Sequence, residues 1–254
     1  MKLSGNTILI TGGGSGIGRE LARRFHALGN IVIVAGRTEA TLQETIAGRD
    51  GMHMLTFDAG DASDIRRFAK ELLAKHPSVN VLINNAGIMK VEDLAADEVD
   101  VSIAETTIAT NLLGPIRLTS ALLPHLRATP DAVIMNVTSG LAFVPLAWTP
   151  TYSATKAGLH SWTQSLRYRL KDEGVEVIEI APPGVQTDLT PGQSTRENYV
   201  PLADYIDSTM KNFETVPTPA ENIIAPATFL RTAEANGNFG ELFNMLNTAY
   251  AAHL

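Results

Sequence analysis

The hydrophobic pattern divides the chain into short apolar runs separated by longer amphipathic segments. The runs are rich in Val and Ile, alternate little with polar residues, and end in small or polar residues. They cover residues 7–11, 31–35, 54–57, 79–83, 132–137 and 175–181. Unbroken apolar runs of this length are typical of strands that a parallel sheet buries on both faces.

The segments between these runs carry apolar residues at helical spacing. Ile17, Leu21, Phe25 and Leu28 follow one another at intervals of four, four and three residues, and similar stripes occur within residues 65–73 and 159–170. A further helix is expected over 101–123. Alternation of strand and helix predicts right-handed βαβ units. We therefore predict an α/β fold: one domain over residues 1–254, with a doubly wound parallel sheet of six to seven strands and helices on both faces.

One long stretch interrupts this alternation. Residues 182–219 contain six prolines, and a long irregular segment inside a compact domain is usually functional. Within it a set of apolar residues lies at helical spacing. The set is Tyr199, Leu202, Tyr205, Ile206, Met210 and Phe213. We expect residues 188–217 to form a separable, mobile lid over the substrate.

Composition narrows the classes of function. The chain of 254 residues contains no Cys, which excludes disulfides, thiolate zinc sites, iron–sulfur clusters and cysteine nucleophiles. Its formal charge of −7 argues against nucleic acid or an anionic membrane as partner. No apolar run approaches the ~20 residues of a membrane span, and the N-terminus enters a strand at once. The six histidines lack ligand spacing. We therefore expect a cytoplasmic protein without a catalytic metal.

A glycine-rich turn follows the first predicted strand. Residues 12–18 read GGGSGIG and lead into the first amphipathic helix. Glycines allow a sharp turn, and the helix N-terminus then binds a pyrophosphate through its free amides. A tight strand–helix turn without a ligand is the alternative, but the position after the first strand favours dinucleotide binding. The candidate contacts are Gly12, Ser15, Gly16, Ile17 and Gly18.

The end of the second strand indicates which dinucleotide is bound. An acid normally stands there and accepts hydrogen bonds from the adenosine ribose. Here Gly36 occupies that position and Arg37 follows it. A guanidinium suits a phosphate, and Ser15 and Thr38 offer further hydroxyl donors. We therefore predict that NADP(H) is preferred over NAD(H), although Arg37 as a solvated loop cation is the alternative.

A tyrosine and a lysine stand four residues apart at 152 and 156, on one face of a predicted helix. A nearby cation lowers the pKa of a phenol, so Tyr152 and Lys156 suit proton transfer near neutral pH. Ser139 ends the fifth predicted strand, at the edge where α/β proteins bind ligands, and Asn111 lies in a predicted helix where Asn is disfavoured. Each residue has a plain structural alternative, as a strand cap or a surface residue.

Together these motifs resemble the short-chain dehydrogenase/reductase family, whose fold is a Rossmann-type sheet. The resemblance spans residues 3–187, and the two ends of the chain are similar to the DltE-like oxidoreductases within it. It implies that Tyr152 is the proton donor and acceptor, that Ser139 orients the carbonyl, that Lys156 binds the nicotinamide ribose and lowers the Tyr152 pKa, and that Asn111 anchors a relay water. It implies further cofactor contacts at Asp58, Ala59, Asn85, Ala86, Gly87, Val185 and Thr187, and a homo-oligomer, dimer or tetramer.

One feature departs from many members of the family. Instead of a glycine-rich segment after a seventh strand, the chain carries Phe239, Leu242, Phe243 and Leu246 at the spacing of a helix face. A helix is therefore expected there.

The predicted activity is hydride transfer between NADP(H) and a neutral, fairly hydrophobic ketone or aldehyde, giving a secondary alcohol in the ketone case. Apolar residues between Ser139 and Tyr152 are expected to wall the substrate site, together with Met89 and Leu189. They are Leu141, Phe143, Val144, Leu146 and Trp148. Two alternatives stay open: a 3-oxoacyl thioester reductase, and a nucleotide-sensing binding protein on a retired enzyme scaffold.

Overall fold

A computed structural model describes residues 1–251 of the chain. Seven parallel strands form one sheet in the order β3-β2-β1-β4-β5-β6-β7. The strands are β1 (Thr7–Thr11), β2 (Ile31–Gly36), β3 (Met52–Thr56), β4 (Val81–Asn84), β5 (Ala132–Val137), β6 (Val175–Ile180) and β7 (Glu221–Asn222). Strands β2 and β3 lie on one side of β1, and strands β4 to β7 lie on its other side, so the strand order reverses between β1 and β4. The carboxyl ends of these two strands therefore flank the crevice where α/β folds bind ligands.

Nine α-helices connect and cover the strands within the described residues. They are α1 (Gly16–Ala27), α2 (Glu39–Ile46), α3 (Ala62–Lys75), α4 (Val101–Ile108), α5 (Gly114–Arg127), α6 (Pro150–Leu170), α7 (Leu202–Phe213), α8 (Ala225–Arg231) and α9 (Phe239–Ala251). None of the helices in residues 1–251 is both long enough and apolar enough to span a membrane.

The core has one apolar layer on each face of the sheet. Ile8 and Ile10 of β1 pack into the layer that contains Leu21 and Phe25 of α1. Leu9, between them, packs into the opposite layer with residues of α3 and α5. Successive residues of a strand point to opposite faces, so a strand buried on both faces needs apolar residues at every position. This arrangement confirms the predicted doubly wound sheet.

The seventh strand has only two residues and no apolar run. Glu221 and Asn222 pair with Glu179 and Ile180 of β6. Such a strand leaves no hydrophobic pattern in the sequence, which explains why its existence stayed open. The helix expected around Phe239–Leu246 is confirmed as part of α9.

The proline-rich segment is divided between the cleft and the core. Tyr205, Ile206 and Phe213 of α7 are fully buried in the same layer as α1, and the ring centroids of Phe213 and Phe25 lie 5.8 Å apart. Because α7 packs against α1, these three residues belong to the core in this structure rather than to a separate flap. That residues 188–217 form a mobile lid stays a prediction.

Candidate active site

The glycine-rich turn between β1 and α1 packs without spare room. A Cβ at Gly12 would lie 2.9 Å from both the Cα of Ala86 and the Nδ2 of Asn85, and Gly12 itself has a φ of +65°. A Cβ at Gly18 would lie 2.3 Å from the carbonyl oxygen of Gly12. Only glycine fits these two positions. The turn therefore brings the α1 N-terminus directly to the edge of the sheet.

Ser15 precedes the first turn of α1 in an extended conformation. Its side chain is exposed and accepts no hydrogen bond from the amides of α1 (Gly16–Ala27). The hydroxyl and the amides of the first helical turn are thus available to an anion, and the helix dipole adds attraction for negative charge. Ser15 and Gly12 border both ends of the cleft described below, so the turn fits the pyrophosphate of a dinucleotide.

Thr11 at the end of β1 connects the turn to β4. Its Oγ1 accepts hydrogen bonds of 3.0 Å from the amides of Asn85 and Ala86, and Asn85 Nδ2 donates to the Thr11 carbonyl oxygen at 2.9 Å. Asn85 lines the cleft, but its side-chain amide is committed to β1. Thr11, which opens the glycine-rich motif, was not among the predicted site residues.

One end of the cleft gathers the residues predicted to contact adenosine. Gly36, Arg37, Asp58 and Ala59 all line it, beside Ser15. The Arg37 side chain is exposed. Asp58 is oriented by the Gly60 amide, which donates to its Oδ1 at 2.8 Å. The structure thus brings together, from three different loops, the residues that the sequence assigned to this end.

Helix α2 and the turn before α5 also contribute to this end. Thr38 at the N-cap of α2, Thr41 and Leu42 within α2, Phe57 after β3, and Thr110 all line it.

The other end of the cleft, with a cavity volume of about 390 Å³, contains the predicted catalytic side chains. Tyr152 and Lys156 of α6 and Ser139, which follows β5, all line it and all are buried. Lys156 Nζ lies 5.5 Å from the centroid of the Tyr152 ring and donates to the Val137 carbonyl oxygen at 2.8 Å. Ser139 Oγ accepts from the Leu141 amide at 3.1 Å. The Ser139 hydroxyl also lies beside the Tyr152 phenol.

Burial governs the proton affinities of this pair. It raises the pKa of Tyr152 to about 12, opposed by the neighbouring Ser139 hydroxyl, and lowers the pKa of Lys156 to about 8. The expectation that Lys156 lowers the Tyr152 pKa is not met in this structure. The ammonium bonds to a backbone carbonyl rather than to the phenol, and desolvation disfavours the charged form of both groups.

Asn111 lies at an interruption of the predicted helix over 101–123. Between α4 and α5, a π-helical turn covers Ala109–Leu113. In that turn Asn111 accepts from the Ile88 amide at 2.9 Å and donates to the Ile88 carbonyl oxygen at 2.8 Å. Single π-turns are often found at functional sites. Here the turn directs a buried amide toward the segment that follows β4, close to Gly87 and Lys156.

The segment after β6 forms the far wall of the cleft. Val185 and Thr187 line it as predicted, and so does Gln193, which the sequence analysis did not single out. Gln193 Nε2 donates to the Val185 carbonyl oxygen at 2.9 Å and to Thr187 Oγ1 at 3.1 Å. Because that oxygen accepts from Gln193, the proton of the Thr187 hydroxyl can point elsewhere, including into the cleft. A glutamine in a proline-rich loop carries no sequence signal for this role.

The predicted apolar wall of the substrate site is only partly present. Met89 and Leu189 line the cleft, with Pro182 and Pro183. The five residues expected from the stretch between Ser139 and Tyr152 are not part of the lining found within residues 1–251. Val144 instead packs with Leu230 of α8 and with α9. Trp148 is instead 37% exposed, and Leu141, Phe143 and Leu146 do not border the cleft either, which corrects the expectation for all five residues.

One cluster of potential metal ligands occurs among the described residues. His160, Glu179 and Glu221 offer ligand atoms within 4.8 Å of one another. Arg231 already binds Glu221 through two nitrogen atoms, at 2.9 and 3.1 Å, and the Thr138 hydroxyl donates to Glu179 at 2.6 Å. These carboxylates have partners within the protein, and the absence of a catalytic metal stays a prediction.

Comparison with known proteins identifies the family. The profile of the short chain dehydrogenases matches residues 6–198. The chain is 46% identical over 189 residues to the uncharacterized oxidoreductase DltE of Bacillus subtilis, covering 74% of this chain and 75% of DltE. It is 32% identical over 239 residues to sulfoacetaldehyde reductase 2 of Chromohalobacter salexigens, covering 92% of each chain.

Solved structures agree with this assignment. A short-chain dehydrogenase from Streptomyces avermitilis superposes with a TM-score of 0.81 at 25% identity, covering 98% of this chain and 99% of the other. The 3-ketoacyl-(acyl-carrier-protein) reductase from Brucella melitensis, complexed with NADH, has a TM-score of 0.74 at 26% identity, with 85% and 93% coverage. A metagenomic short-chain oxidoreductase complexed with NADP has a TM-score of 0.65 at 30% identity, with 71% and 83% coverage.

The last two of these structures contain NADH and NADP, respectively. The cleft of this protein has the glycine turn and the Tyr152–Lys156 pair of the family motif. The chain therefore belongs to the short-chain dehydrogenase/reductase family of oxidoreductases.

Proposed function

We propose that the protein is an NADP(H)-dependent oxidoreductase that interconverts a neutral, fairly hydrophobic ketone or aldehyde and the corresponding alcohol. The observation that carries the proposal is the meeting of Ser139, Tyr152 and Lys156 in the cleft that begins at the glycine turn. A nicotinamide bound there would supply hydride to the carbonyl carbon in reduction and would accept it from the alcohol carbon in oxidation. The side chains of this protein would transfer the proton, orient the carbonyl oxygen and exclude water.

Tyr152 transfers the proton in this proposal. In the direction of reduction it donates its phenolic proton to the carbonyl oxygen, and in oxidation it accepts the proton of the alcohol. A pKa of about 12 keeps the phenol protonated at neutral pH, which suits the donor role. Ser139 donates a hydrogen bond to the same oxygen and holds it against Tyr152. Lys156 binds the nicotinamide ribose, and Asn111 holds a water that links Lys156 to solvent.

The preference for NADP(H) is proposed from the charge at the adenosine end. Gly36 places no carboxylate where the ribose 2′-phosphate of NADP(H) would bind, and Arg37 extends an exposed guanidinium beside it. The hydroxyls of Ser15 and Thr38 lie at the same end. A guanidinium with neighbouring hydroxyl donors binds a phosphate through charge-assisted hydrogen bonds.

The substrate class is proposed from the lining of the nicotinamide end. Met89, Leu189, Pro182 and Pro183 contribute apolar surface there, beside the polar side chains of Thr187 and Asp188. Between Asp188 and Pro217 the chain carries five carboxylates and two cations, a net charge of −3, which repels coenzyme A or an acidic carrier protein. This favours a neutral ketone over a 3-oxoacyl thioester, the alternative suggested by the ketoacyl reductase neighbour.

A small anionic aldehyde is a second candidate. Lys90 lines the cleft beside Met89 and has an exposed side chain. The relative that acts on sulfoacetaldehyde matches over most of the chain. An ammonium at the rim could pair with a sulfonate while the aldehyde carbon lies at Tyr152.

A single kinetic comparison tests these proposals. Oxidation of NADPH and of NADH is followed at 340 nm with an aryl ketone, an alkyl ketone, acetoacetyl-CoA and sulfoacetaldehyde. We expect the highest kcat/KM for the aryl or alkyl ketone, with NADPH. A clearly higher kcat/KM for acetoacetyl-CoA would assign the substrate to the 3-oxoacyl thioesters, and a clearly higher value for sulfoacetaldehyde would assign it to the small anionic aldehydes. Dinucleotide binding without turnover of any carbonyl would favour the nucleotide-sensing alternative.

A further inference from the structure

The N-terminus of the catalytic helix is capped by a residue from a distant part of the chain. Helix α6 begins at Pro150, and its N-cap residue Thr149 makes no capping hydrogen bond with the first turn of α6 (Pro150–Leu170). The Thr149 hydroxyl is buried and has no hydrogen-bond partner among the described residues. The first amides of a helix need an acceptor, and a helix end buried without one is destabilised. Another residue must therefore supply the cap.

Glu92 supplies this cap. One carboxylate oxygen of Glu92 accepts from the Thr151 amide at 2.9 Å and the other accepts from the Thr151 hydroxyl at 2.7 Å. The Glu92 amide also donates to the Trp148 carbonyl oxygen at 3.0 Å. These three hydrogen bonds join Glu92 to the residues directly before Tyr152. A carboxylate at this position also interacts favourably with the helix dipole.

Burial distinguishes Glu92 from its neighbours. Residues 90–100 form an exposed, acidic stretch, yet only 8% of Glu92 is exposed. Carboxylates are seldom buried unless they are paired, and burial of an unpaired one is costly. The hydrogen bonds to Thr151 are thus the reason that this one acid of the stretch turns inward.

The same segment also borders the cleft. Residues 85–90 line the cleft, and Glu92 lies two positions further along the chain. Glu92 therefore connects the wall formed after β4 to the first turn of α6, and Tyr152 is the next residue of that turn. We propose that Glu92 is a positioning residue, which holds the first turn of α6 and thereby sets the distance of the Tyr152 hydroxyl from the wall formed after β4. This inference rests on the proposed role of Tyr152.

The test compares Glu92→Gln with Glu92→Ala. Glutamine retains one acceptor for the Thr151 amide but removes the charge, whereas alanine removes both acceptors. Glu98→Gln, in the same exposed stretch, is the matched control. We expect Glu92→Ala to lower kcat by about 10- to 100-fold, the scale of misplaced reacting groups. Glu92→Gln is expected to have a smaller effect, and the KM for the dinucleotide is expected to change little in either variant.

The split between kcat and KM distinguishes positioning from a structural role alone. A misplaced Tyr152 slows the chemical step, so kcat is expected to fall in Glu92→Ala while the KM for the dinucleotide stays near that of the parent. Glu92→Gln, which keeps an acceptor for the Thr151 amide, is expected to restore most of kcat, and Glu98→Gln keeps the parent values. An unchanged kcat in Glu92→Ala, an equal loss in Glu92→Gln and Glu92→Ala, or a loss that follows only the fraction of folded protein by circular dichroism would overturn the proposal.

A second readout does not depend on turnover. Hydrogen exchange of the first turn of α6, measured by mass spectrometry, reports directly on the cap. Exchange is expected to be faster in Glu92→Ala than in the parent and near that of the parent in Glu92→Gln. Unchanged exchange in Glu92→Ala would contradict Glu92 as the cap. If no carbonyl is turned over and yet the exchange changes, the proposed function fails while the contact of Glu92 with α6 stands.

Discussion

The two walls of the cleft are built on different principles. The dinucleotide wall comes from the turns after β1, β2 and β4, where close backbone approach decides which residues fit. A Cβ at Gly18 would lie 2.3 Å from the Gly12 carbonyl oxygen. The opposite wall comes from residues 182–193, where apolar and amide side chains make the surface. Backbone constraints leave a readable motif, whereas an apolar side chain can serve a wall, a lid or the core equally well.

Tyr152 lies where residues of both walls meet, and its loss is expected to have the largest effect on turnover. The substitution Tyr152→Phe keeps the ring and removes the phenolic hydroxyl with its proton. We expect turnover to fall by about 10²- to 10⁴-fold. Binding of NADPH, measured by fluorescence titration, should be unchanged. Tyr168→Phe is the control, because Tyr168 is 70% exposed on the same helix. Near-normal turnover in Tyr152→Phe would remove the proposed acid/base role.

A matched pair of alanine substitutions separates the core from the candidate lid on the C-terminal side. Phe213 is 2% exposed and packs on Phe25, whereas Leu189 is 38% exposed and lines the cleft. We expect Phe213→Ala to lower the free energy of unfolding by about 3–5 kcal/mol.

Leu189→Ala is expected to leave stability near that of the parent and to raise the KM for a hydrophobic ketone. Chemical denaturation and steady-state kinetics on both variants measure the difference. A Phe213→Ala protein with parent-like stability and an altered KM for the ketone would mean that α7 belongs to the lid rather than to the core.

Arg37 tests the dinucleotide wall alone. A charge-assisted contact to a phosphate is worth about 1.5–3 kcal/mol. Arg37→Ala is therefore expected to raise the KM for NADPH by about 10- to 150-fold and the KM for NADH far less. Arg66→Ala, another exposed arginine, provides the control. A parent enzyme that already prefers NADH would rule out this role for Arg37.

The smallest expected effect is the dependence of stability on pH at Lys156. Burial lowers the pKa of Lys156 to about 8, from a usual value near 10.5. Between these values the unfolded chain binds more protons than the folded protein, so the contribution of Lys156 to stability rises with pH. The rise between pH 8 and 10 is roughly 2 kcal/mol.

Urea denaturation at several pH values should show that rise in the parent and not in Lys156→Met. The measurement stops at pH 10 because the pKa of Tyr152, raised by burial, then works in the opposite direction. Equal slopes in the two proteins would mean that Lys156 is not desolvated in solution.

Much of the fold follows from local patterns. Six of the seven strands were expected within a few residues, because strands buried on both faces need continuous apolar runs. β7 escaped detection because Glu221 and Asn222 contribute hydrogen bonds to β6 and no apolar surface. The helix expected over 101–123 contains the π-helical turn Ala109–Leu113, which no periodicity over so few residues could indicate.

The predicted site residues have a similar limit. Gly12, Ser15, Arg37, Ser139, Tyr152 and Lys156 lie along one cleft as expected, because the carboxyl ends of parallel strands meet at one edge of the sheet. Gln193 and Glu92 were not expected. Their roles depend on contacts with residues distant in sequence or in a loop, Glu92 with Thr151 and Gln193 with Val185.

The sequence by itself therefore determined the doubly wound sheet, the dinucleotide turn and the Tyr152–Lys156 pair, since each depends on neighbours within one or two turns of chain. Only the tertiary structure decided which apolar residues face the cleft. Phe213 packs against α1, and Val144 packs against α8 and α9, although the sequence placed Phe213 in the lid and Val144 in the substrate wall. The physical reason is that hydrophobic burial has no direction of its own, so the partner surface, supplied by remote chain, chooses the face.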